Sequence, residues 1–298
     1  MKPAKNKHPN HFFDYISLII RQFRLYYKSW PLFKESLVYP LQAIYFPFLS
    51  KHKWVDIRFK SGRSLSINAA HWKLLPSACR LDNIGVKFKF QKNAKVTDVD
   101  GLKIFSPLWA RDEAFYFKEV FLDDVYGVKK RNLKKSVVVD IGAYVGDSSL
   151  AFARQGAMVH AIEPSEVFCK FIRRNFEENG YSNHLILHKV GLASATERIL
   201  LGNDSLNLVE GINYALKKLP RNIDLLKMDC EGSEYYLLAD LRFLKHLQPK
   251  EIQMEYHKGA KPILRYLENS GYRAYVSSGS KTVGIIKAYK INHSFVRK

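Results

Sequence analysis

From residue 137 onward the chain alternates short apolar runs with longer stretches of helical spacing, and this rhythm limits the fold more than any other feature. Five apolar runs have the length and composition of strands: 137–141, 159–162, 185–190, 223–228 and 251–256. Helical spacing is found in three stretches: 166–179, 233–247 and 261–270. Such alternation is typical of βαβ units, so we predict an α/β fold with a doubly wound, mostly parallel sheet.

The first 136 residues differ from the rest of the chain in charge. They hold 26 Lys/Arg against 11 Asp/Glu, and the remaining residues hold 22 against 17, which gives +15 and +5 of the total +20. An excess of this size attracts phosphate-bearing partners, namely nucleic acid, an anionic membrane or a phosphorylated substrate. The alternative is that the charge only keeps the protein soluble.

The same part of the chain carries its own structural patterns. Polar and basic residues recur at spacings of three and four over residues 12–28, which predicts a basic amphipathic helix that docks on its own domain or on a membrane surface. Two prolines predict broken helix or loop over 37–49, and residues 54–68 and 85–90 predict a small antiparallel layer. We therefore predict a basic, aromatic helical segment over 1–50, an α+β extension over 51–135 and the α/β domain over 136–298.

The cysteines and the apolar runs indicate a reducing compartment. Cys79, Cys169 and Cys230 are scattered and odd in number, so neither a disulfide framework nor a zinc cluster is predicted. The N-terminal apolar stretch is interrupted by charges and lacks a cleavage site, and no run reaches the roughly 20 apolar residues that span a bilayer. We expect a cytoplasmic protein, with peripheral contact at the inner membrane surface as an open alternative.

A glycine-rich turn follows the first predicted strand of the α/β domain. Asp140 ends the strand, Gly142 and Gly146 allow a tight turn, and a helix opens at Asp147. A carboxylate before the first glycine would repel a pyrophosphate, but it suits a cofactor that carries an ammonium and a sulfonium. Glu163 ends the second strand, 23 residues after Asp140, close to the offset at which an acid reaches a ribose diol.

A second polar group is expected at the ends of the fourth and fifth strands. Asp229 and Glu231 follow the fourth strand, where a methyl acceptor would lie, although acids there also serve as plain caps of the next helix. Glu255 and His257 share one face of the fifth strand because side chains alternate along a strand.

These residues together resemble the FkbM family of S-adenosylmethionine-dependent methyltransferases. The resemblance covers roughly residues 105–276 and rests on the DIGAYVGD turn, Glu163-Pro164, the LLKMDCEGSE stretch and the strand that leads to His257. It implies a class I methyltransferase fold and O-methylation, commonly of sugar or polyketide-like hydroxyls. The predicted cofactor residues are Asp140, Gly142, Ala143, Tyr144, Gly146, Asp147, Glu163 and Pro164.

Asp229, Glu231 and His257 are the predicted catalytic residues, with two mechanisms open. His257 acts as general base because the ordinary pKa of histidine, about 6.5, lies near neutral pH. Alternatively, the three residues hold a divalent metal that positions the hydroxyl. The acceptor is predicted to be a glycan, a lipid-linked sugar or another small molecule. The alternative hypotheses are that the protein is an RNA methyltransferase or a non-catalytic binding protein.

Overall fold

The computed structural model describes six stretches of the chain: residues 27–45, 53–91, 93–110, 113–193, 197–201 and 205–291. The chain divides into two compact units, residues 1–95 with 108–114 and residues 96–107 with 115–298. The helix predicted over residues 12–28 lies outside the described residues except for its last two, which are helical. The domain boundaries drawn from the sequence stay a prediction.

The first unit contains a β-hairpin where the sequence predicts one. The helices and strands of this unit are α1 (27–36), α2 (Gln42–Tyr45), β1 (Trp54–Arg58), β2 (Ser64–Asn68), a 3-10 helix (Ala69–Leu74), α3 (Leu75–Asn83) and β3 (Lys87–Phe90). Strand β1 pairs antiparallel with β2, and Gly62 adopts a φ of +88° in the turn between them.

The expectation that β3 joins the same sheet is wrong, because β3 belongs to a different sheet. The break predicted around Pro40 is confirmed by the turn that precedes α2, while residues 46–49 lie outside the described part.

Apolar side chains from the helices and the hairpin form the core of this unit: Phe33, Leu37, Ile57, Phe59, Ile67, Leu75 and Cys79. The unit also buries an ion pair in which Nζ of Lys95 lies 2.5 Å from Oε1 of Glu113. The same Nζ donates a hydrogen bond to Oγ of Ser77 at 3.2 Å. A charge taken out of water needs such partners to be tolerated.

The second unit is organised around a seven-stranded sheet. Its strands are β6 (Val137–Ile141), β7 (Met158–Ile162), β8 (Leu185–His188), β12 (Leu225–Met228), β13 (Glu251–Tyr256), β14 (Tyr272–Gly279) and β15 (Gly284–Lys290). Their order is β14–β15–β13–β12–β6–β7–β8, and only the pairs with β15 are antiparallel. The chain order reverses between β6 and β12, so the carboxyl ends of these two strands border the crevice in which such sheets bind ligands. The predicted class I methyltransferase-like, doubly wound sheet is confirmed.

Helices and smaller strands also follow from residue 94 onward. They are β4 (Ala94–Val99), β5 (Leu102–Pro107), α4 (Glu113–Phe117), a π-helical turn (Lys118–Leu122), α5 (Asp147–Arg154), α6 (Glu166–Glu178), β9 (Gly191–Leu192), β10 (Glu197–Leu201), β11 (Ser205–Glu210), α7 (Ile212–Lys218), α8 (Glu234–Ala239), α9 (Leu241–Leu247) and α10 (Lys261–Asn269). The apolar core lies between the sheet and the helices that follow β11, with Ile141, Leu226, Met254, Leu238 and Phe243 among its wholly buried members.

The sequence predicts one helix over residues 233–247. This prediction is wrong in that the structure has two helices there, α8 and α9. Asp240 leaves the helical conformation with φ −87° and ψ 103°, and its side chain accepts a hydrogen bond from the backbone N–H of Arg242 at 3.0 Å. Aspartate competes with the helix backbone in this way and is favoured as an N-cap. The residue therefore ends α8 and begins α9.

No helix among the described residues has the length and apolar content needed to cross a membrane.

Candidate active site

The glycine turn, residues 142–146, joins β6 to α5 and packs against the end of β12. Gly142 and Gly146 have φ values of +80° and +84°, a region that L side chains rarely adopt. A Cβ on Gly142 would lie 1.7 Å from the backbone oxygen of Asp229, which is far inside contact distance. The turn can therefore approach the neighbouring strand only because residue 142 has no side chain.

Asp140 is wholly buried beneath the glycine turn and is bound by protein groups. Its Oδ2 accepts hydrogen bonds from the hydroxyls of Ser148 at 2.7 Å and Ser149 at 2.6 Å. Its Oδ1 lies 3.1 Å from Nζ of Lys227, which also donates to the backbone oxygen of Gly142 at 3.0 Å. These contacts hold α5 and the glycine turn against strands β6 and β12. The predicted contact of Asp140 with the cofactor stays a prediction.

Lys227 keeps its charge although it is almost completely buried. Burial alone would lower its pKa, but the negative charge of Asp140 and further acids nearby hold the pKa well above its ordinary value. Asp147, the first residue of α5, lies in the same surroundings, and burial raises its pKa to about 6. Beneath the glycine turn, Lys227 thus lies in a buried network with the carboxylates of Asp140 and Asp147.

Glu163 follows β7 and connects the second strand to the glycine turn. Its Oε2 accepts a hydrogen bond from the backbone N–H of Tyr144 at 3.0 Å, and its Oε1 accepts one from Ser165 at 2.8 Å. Burial raises the pKa of Glu163 to about 7, although these two backbone donors act in the opposite direction. Ala143, inside the turn, donates its own N–H to the backbone oxygen of Ile162 at 3.1 Å.

Tyr144 stands at the tip of the turn with a φ of +51°. Its ring lies 4.5 Å from that of Phe168 in α6 and 5.3 Å from that of Tyr116 in α4, measured between centroids. An aromatic cluster therefore borders the turn on the side of α6. Pro164 begins the loop that leads to this helix, and its ring atoms lie close to Gly191. The sequence places Tyr144 and Pro164 near the cofactor, and that assignment stays a prediction.

A second polar group lies at the ends of β12 and β13, and we call it the acceptor cluster: Asp229, Glu231, Glu234, Glu255 and His257. Nε2 of His257 lies 3.7 Å from Oδ1 of Asp229, 3.7 Å from Oε2 of Glu231 and 3.9 Å from Oε2 of Glu255. The structure thus brings together the three predicted catalytic residues. It also confirms that Glu255 and His257 share one side of the strand.

Glu234 orients the imidazole from the opposite side. This glutamate is wholly buried, its Oε1 lies 3.3 Å from Nδ1 of His257, and it accepts a hydrogen bond from the backbone N–H of Cys230 at 2.8 Å. Its hydrogen bond, together with the surrounding carboxylates, raises the pKa of His257 to about 9. These carboxylates stabilise the charged form of His257, so its pKa lies above the ordinary value of about 6.5 on which the predicted role as general base rests, and that role stays a prediction.

Carboxylates with raised pKa values complete the site. Burial, reinforced by the charge of Asp229, raises the pKa of Glu255 to about 7. Glu119, in the π-helical turn, has its pKa raised to about 7 by burial and by the charges of Glu255 and Asp229. A group that titrates near neutral pH is suited to accept a proton.

Sequence reasoning missed Glu119, Lys227 and Asn175. The first and the last carry no local signal. Asn175 in α6 binds both the N–H and the oxygen of Phe105 and donates to the oxygen of Val145, so it ties β5 to the turn. Lys227 does carry a signal, because a lysine within an apolar central strand requires a buried anion as its partner.

The comparisons with known proteins agree with this arrangement. Residues 209–274 match the model of the methyltransferase FkbM domain, a range that includes β12, β13 and the whole acceptor cluster. This match agrees with the resemblance drawn from the sequence and covers about a fifth of the chain. No curated protein matches the chain.

Several solved structures are similar in fold at low identity. A methyltransferase FkbM from Methylobacillus flagellatus is 19% identical with a TM-score of 0.41, and the alignment covers 52% of this chain and 44% of that one. The chain thus spans less than half the length of that protein. M. jannaschii TYW2 in complex with AdoMet is 13% identical, with a TM-score of 0.42 and coverage of 68% and 89%. Magnesium protoporphyrin IX methyltransferase from Synechocystis with bound SAM is 17% identical, with a TM-score of 0.42 and coverage of 60% and 82%.

Proposed function

We propose that this protein is an S-adenosylmethionine-dependent methyltransferase that transfers the methyl group to a hydroxyl of a glycan, a lipid-linked sugar or another small molecule. One observation carries the proposal: ligand atoms of Asp229, Glu231 and His257 lie within 4.8 Å of one another beside the glycine turn. A hydroxyl group must be held and must lose its proton when it is methylated. A cluster of carboxylates around an imidazole offers acceptors for that proton and for the hydrogen bonds that orient the hydroxyl.

The residues of the turn fit S-adenosylmethionine in their chemistry. A carboxylate offers about four lone-pair sites that can accept a hydrogen bond. In Glu163, one site on each oxygen accepts a hydrogen bond from a backbone N–H, so two sites stay available for a ribose diol. The carboxylates of the neighbouring acceptor cluster favour a positively charged methyl donor. The cofactor supplies a methyl group on a sulfonium, which is a strong electrophile.

The remaining task of the chain is to align the acceptor oxygen with the methyl group and to remove its proton. Alignment alone can supply a large part of the rate enhancement, because the reaction then becomes effectively unimolecular. We assign the proton to Glu255 rather than to His257, since the pKa of Glu255 is about 7 and that of His257 is about 9.

The charge of the chain supports an acceptor that carries phosphate, such as a lipid-linked sugar at an anionic membrane. The net charge is +20, and the described residues of the first unit are rich in exposed lysine, including Lys28, Lys34, Lys53 and Lys60. The same charge favours RNA as the second candidate acceptor. The basic stretch over residues 12–28, predicted to dock on its own domain or on a membrane surface, lies outside the described residues except for residues 27 and 28.

Transfer of a labelled methyl group from S-adenosylmethionine to glycan, lipid and RNA fractions of a cell extract tests the proposal. We expect label in the glycan or lipid fraction, in an alkali-stable ether. Label confined to RNA would replace the proposal by the second candidate, and label in none of the three fractions would contradict both.

Calorimetry separates cofactor binding from the choice of acceptor. Glu163→Ala should weaken S-adenosylmethionine binding roughly tenfold or more, since a charge-assisted contact contributes about 1.5 to 3 kcal/mol. Glu177→Gln, an exposed change in α6, is the matched control and should bind as the wild type does. Equal affinity of the folded Glu163→Ala protein would remove this residue from the cofactor site.

A further inference from the structure

We propose that Asp229, Glu231 and His257 bind a divalent metal ion of the magnesium or manganese class. The three side chains come from the ends of two neighbouring parallel strands and each offers one ligand atom toward a common point, within 4.8 Å of one another. Two carboxylate oxygens with one imidazole nitrogen suit manganese, and oxygen-rich sets suit magnesium. The proposal goes beyond methyl transfer, because the cation would bind whether or not cofactor and acceptor are present.

The spacing of the ligand atoms fits one ion. Two atoms bound to the same ion at about 2.1 Å are at most about 4.2 Å apart. Nε2 of His257 lies 3.7 Å from each of the two carboxylate oxygens, within this limit. The side chain of Glu231 is 82% exposed and can rotate to close the remaining distance. The site therefore needs only a small adjustment of one surface side chain.

The environment of His257 also supports the site. Nδ1 faces Glu234, which is wholly buried and has one carboxylate oxygen without a hydrogen-bond partner, while Nε2 faces Asp229 and Glu231. Histidines that bind metals almost always have the other ring nitrogen held by a carboxylate or carbonyl, because this contact fixes the orientation of the ring. The arrangement of Glu234 and His257 matches that pattern and aims Nε2 at the two carboxylates.

The charge balance of the acceptor cluster also favours a cation. Among the described residues, the ion pairs of Asp229, Glu231, Glu234 and Glu255 are all with His257. Lys227, the nearest buried lysine, is already paired with Asp140. Four carboxylates thus share one imidazole, and a divalent ion would neutralise the surplus. If the proposed function holds, its open coordination positions would bind the acceptor hydroxyl and lower its pKa.

Electron paramagnetic resonance with Mn²⁺ tests the site on the full chain without cofactor or acceptor. We expect one tightly bound Mn²⁺ per chain, and binding weakened tenfold or more in Glu231→Gln and in His257→Gln. Glu231→Gln alters an exposed side chain, so the variant should fold, and circular dichroism checks this. Glu177→Gln makes the same chemical change on the surface of α6, away from the cluster, and should leave Mn²⁺ binding unchanged.

The outcomes are separate from those of the methyl-transfer assay. No Mn²⁺ bound by the folded wild type at millimolar concentration, or equal affinity in Glu231→Gln and wild type, overturns the metal site and leaves methyl transfer to be judged by its own experiment. Bound Mn²⁺ together with absent methyl transfer would retain the site and contradict the proposed function.

Discussion

At the glycine turn, the carboxylates of Asp140 and Glu163 each accept two hydrogen bonds from protein groups, and Asp140 also faces Lys227. In the acceptor cluster, the ion pairs that Asp229 and Glu231 form with other described residues are both with His257, at 3.7 Å. The two regions lie side by side, since the backbone of Gly142 contacts that of Asp229. They therefore differ in how their charges are neutralised, although both are rich in acids.

This difference separates a preorganised region from one that is completed on binding. Fixed donors hold the carboxylates of the glycine turn in place, so the proposed binding of S-adenosylmethionine there would need little reorganisation. The acceptor cluster has more negative than positive charge, which costs stability unless a cation, a proton or a positively charged ligand is added. The same sheet edge thus has one acidic region that is held by fixed donors and one that has more acids than cationic partners.

The largest effect is expected where the two regions touch. Gly142→Ala would place a Cβ 1.7 Å from the backbone oxygen of Asp229 at a φ of +80°, so the turn and the strand would have to separate. We expect a loss of about 5 kcal/mol or more in the free energy of unfolding, a size reserved for severe backbone clashes. Urea unfolding followed by fluorescence measures it.

Gly180→Ala is the matched control for this change. Gly180 has a similar φ of +77° but nothing within 4 Å of its Cβ position, so the cost should be only the roughly 1 to 2 kcal/mol of the left-handed conformation. Equal destabilisation by the two substitutions would show that conformation, and not contact with β12, determines the role of Gly142.

A smaller but still large effect is expected at the base of the turn. Lys227→Met leaves Asp140 as a buried charge without its ionic partner, which typically costs about 3 to 5 kcal/mol. The double variant Lys227→Met/Asp140→Asn should recover much of that stability, since the unpaired charge is gone. Lys217→Met, at an exposed lysine, should change the free energy of unfolding by no more than about 0.5 kcal/mol. If Lys227→Met is as stable as the wild type, the turn is not held by this ion pair.

The smallest effect concerns the acceptor cluster and is read from pH. Glu234→Gln removes the hydrogen-bonded anion that is the main cause of the raised pKa of His257, so this pKa should fall from about 9 by one unit or more, about 1.4 kcal/mol per unit. A histidine with a raised pKa stabilises the fold fully below about pH 6.5 and loses this contribution as pH rises through about 9. The variant should therefore lose less stability than the wild type between these values.

Titration of the His257 ring signals by NMR measures the shift directly. The exposed variant Glu177→Gln should leave the pKa of His257 at its wild-type value. An unchanged pKa in Glu234→Gln would assign the stabilisation of the charged imidazole to Asp229, Glu231 and Glu255 instead.

The sequence predicted the five parallel strands because each is a short apolar run and stretches of helical spacing occur among them, and the ends of β6 and β13 agree to the residue. It did not predict β9 to β11 or the hairpin of β14 and β15. Strand β14 is mostly exposed and contains polar residues, so its composition does not distinguish it from a loop. Likewise Glu119 reaches the site from a π-helical turn that no local pattern marks.

The sequence by itself determined the five parallel strands and the acids and glycines at their carboxyl ends, because strand length, turn chemistry and side-chain alternation are local properties. Only the tertiary structure decided which charges meet. The register of β12 against β6 sets Lys227 beside Asp140, and the turn after β12 brings Glu234 to His257, 23 residues away in the chain. Since the pKa of a side chain depends on such neighbours and on burial, the assignment of the base could not be read from residue types alone.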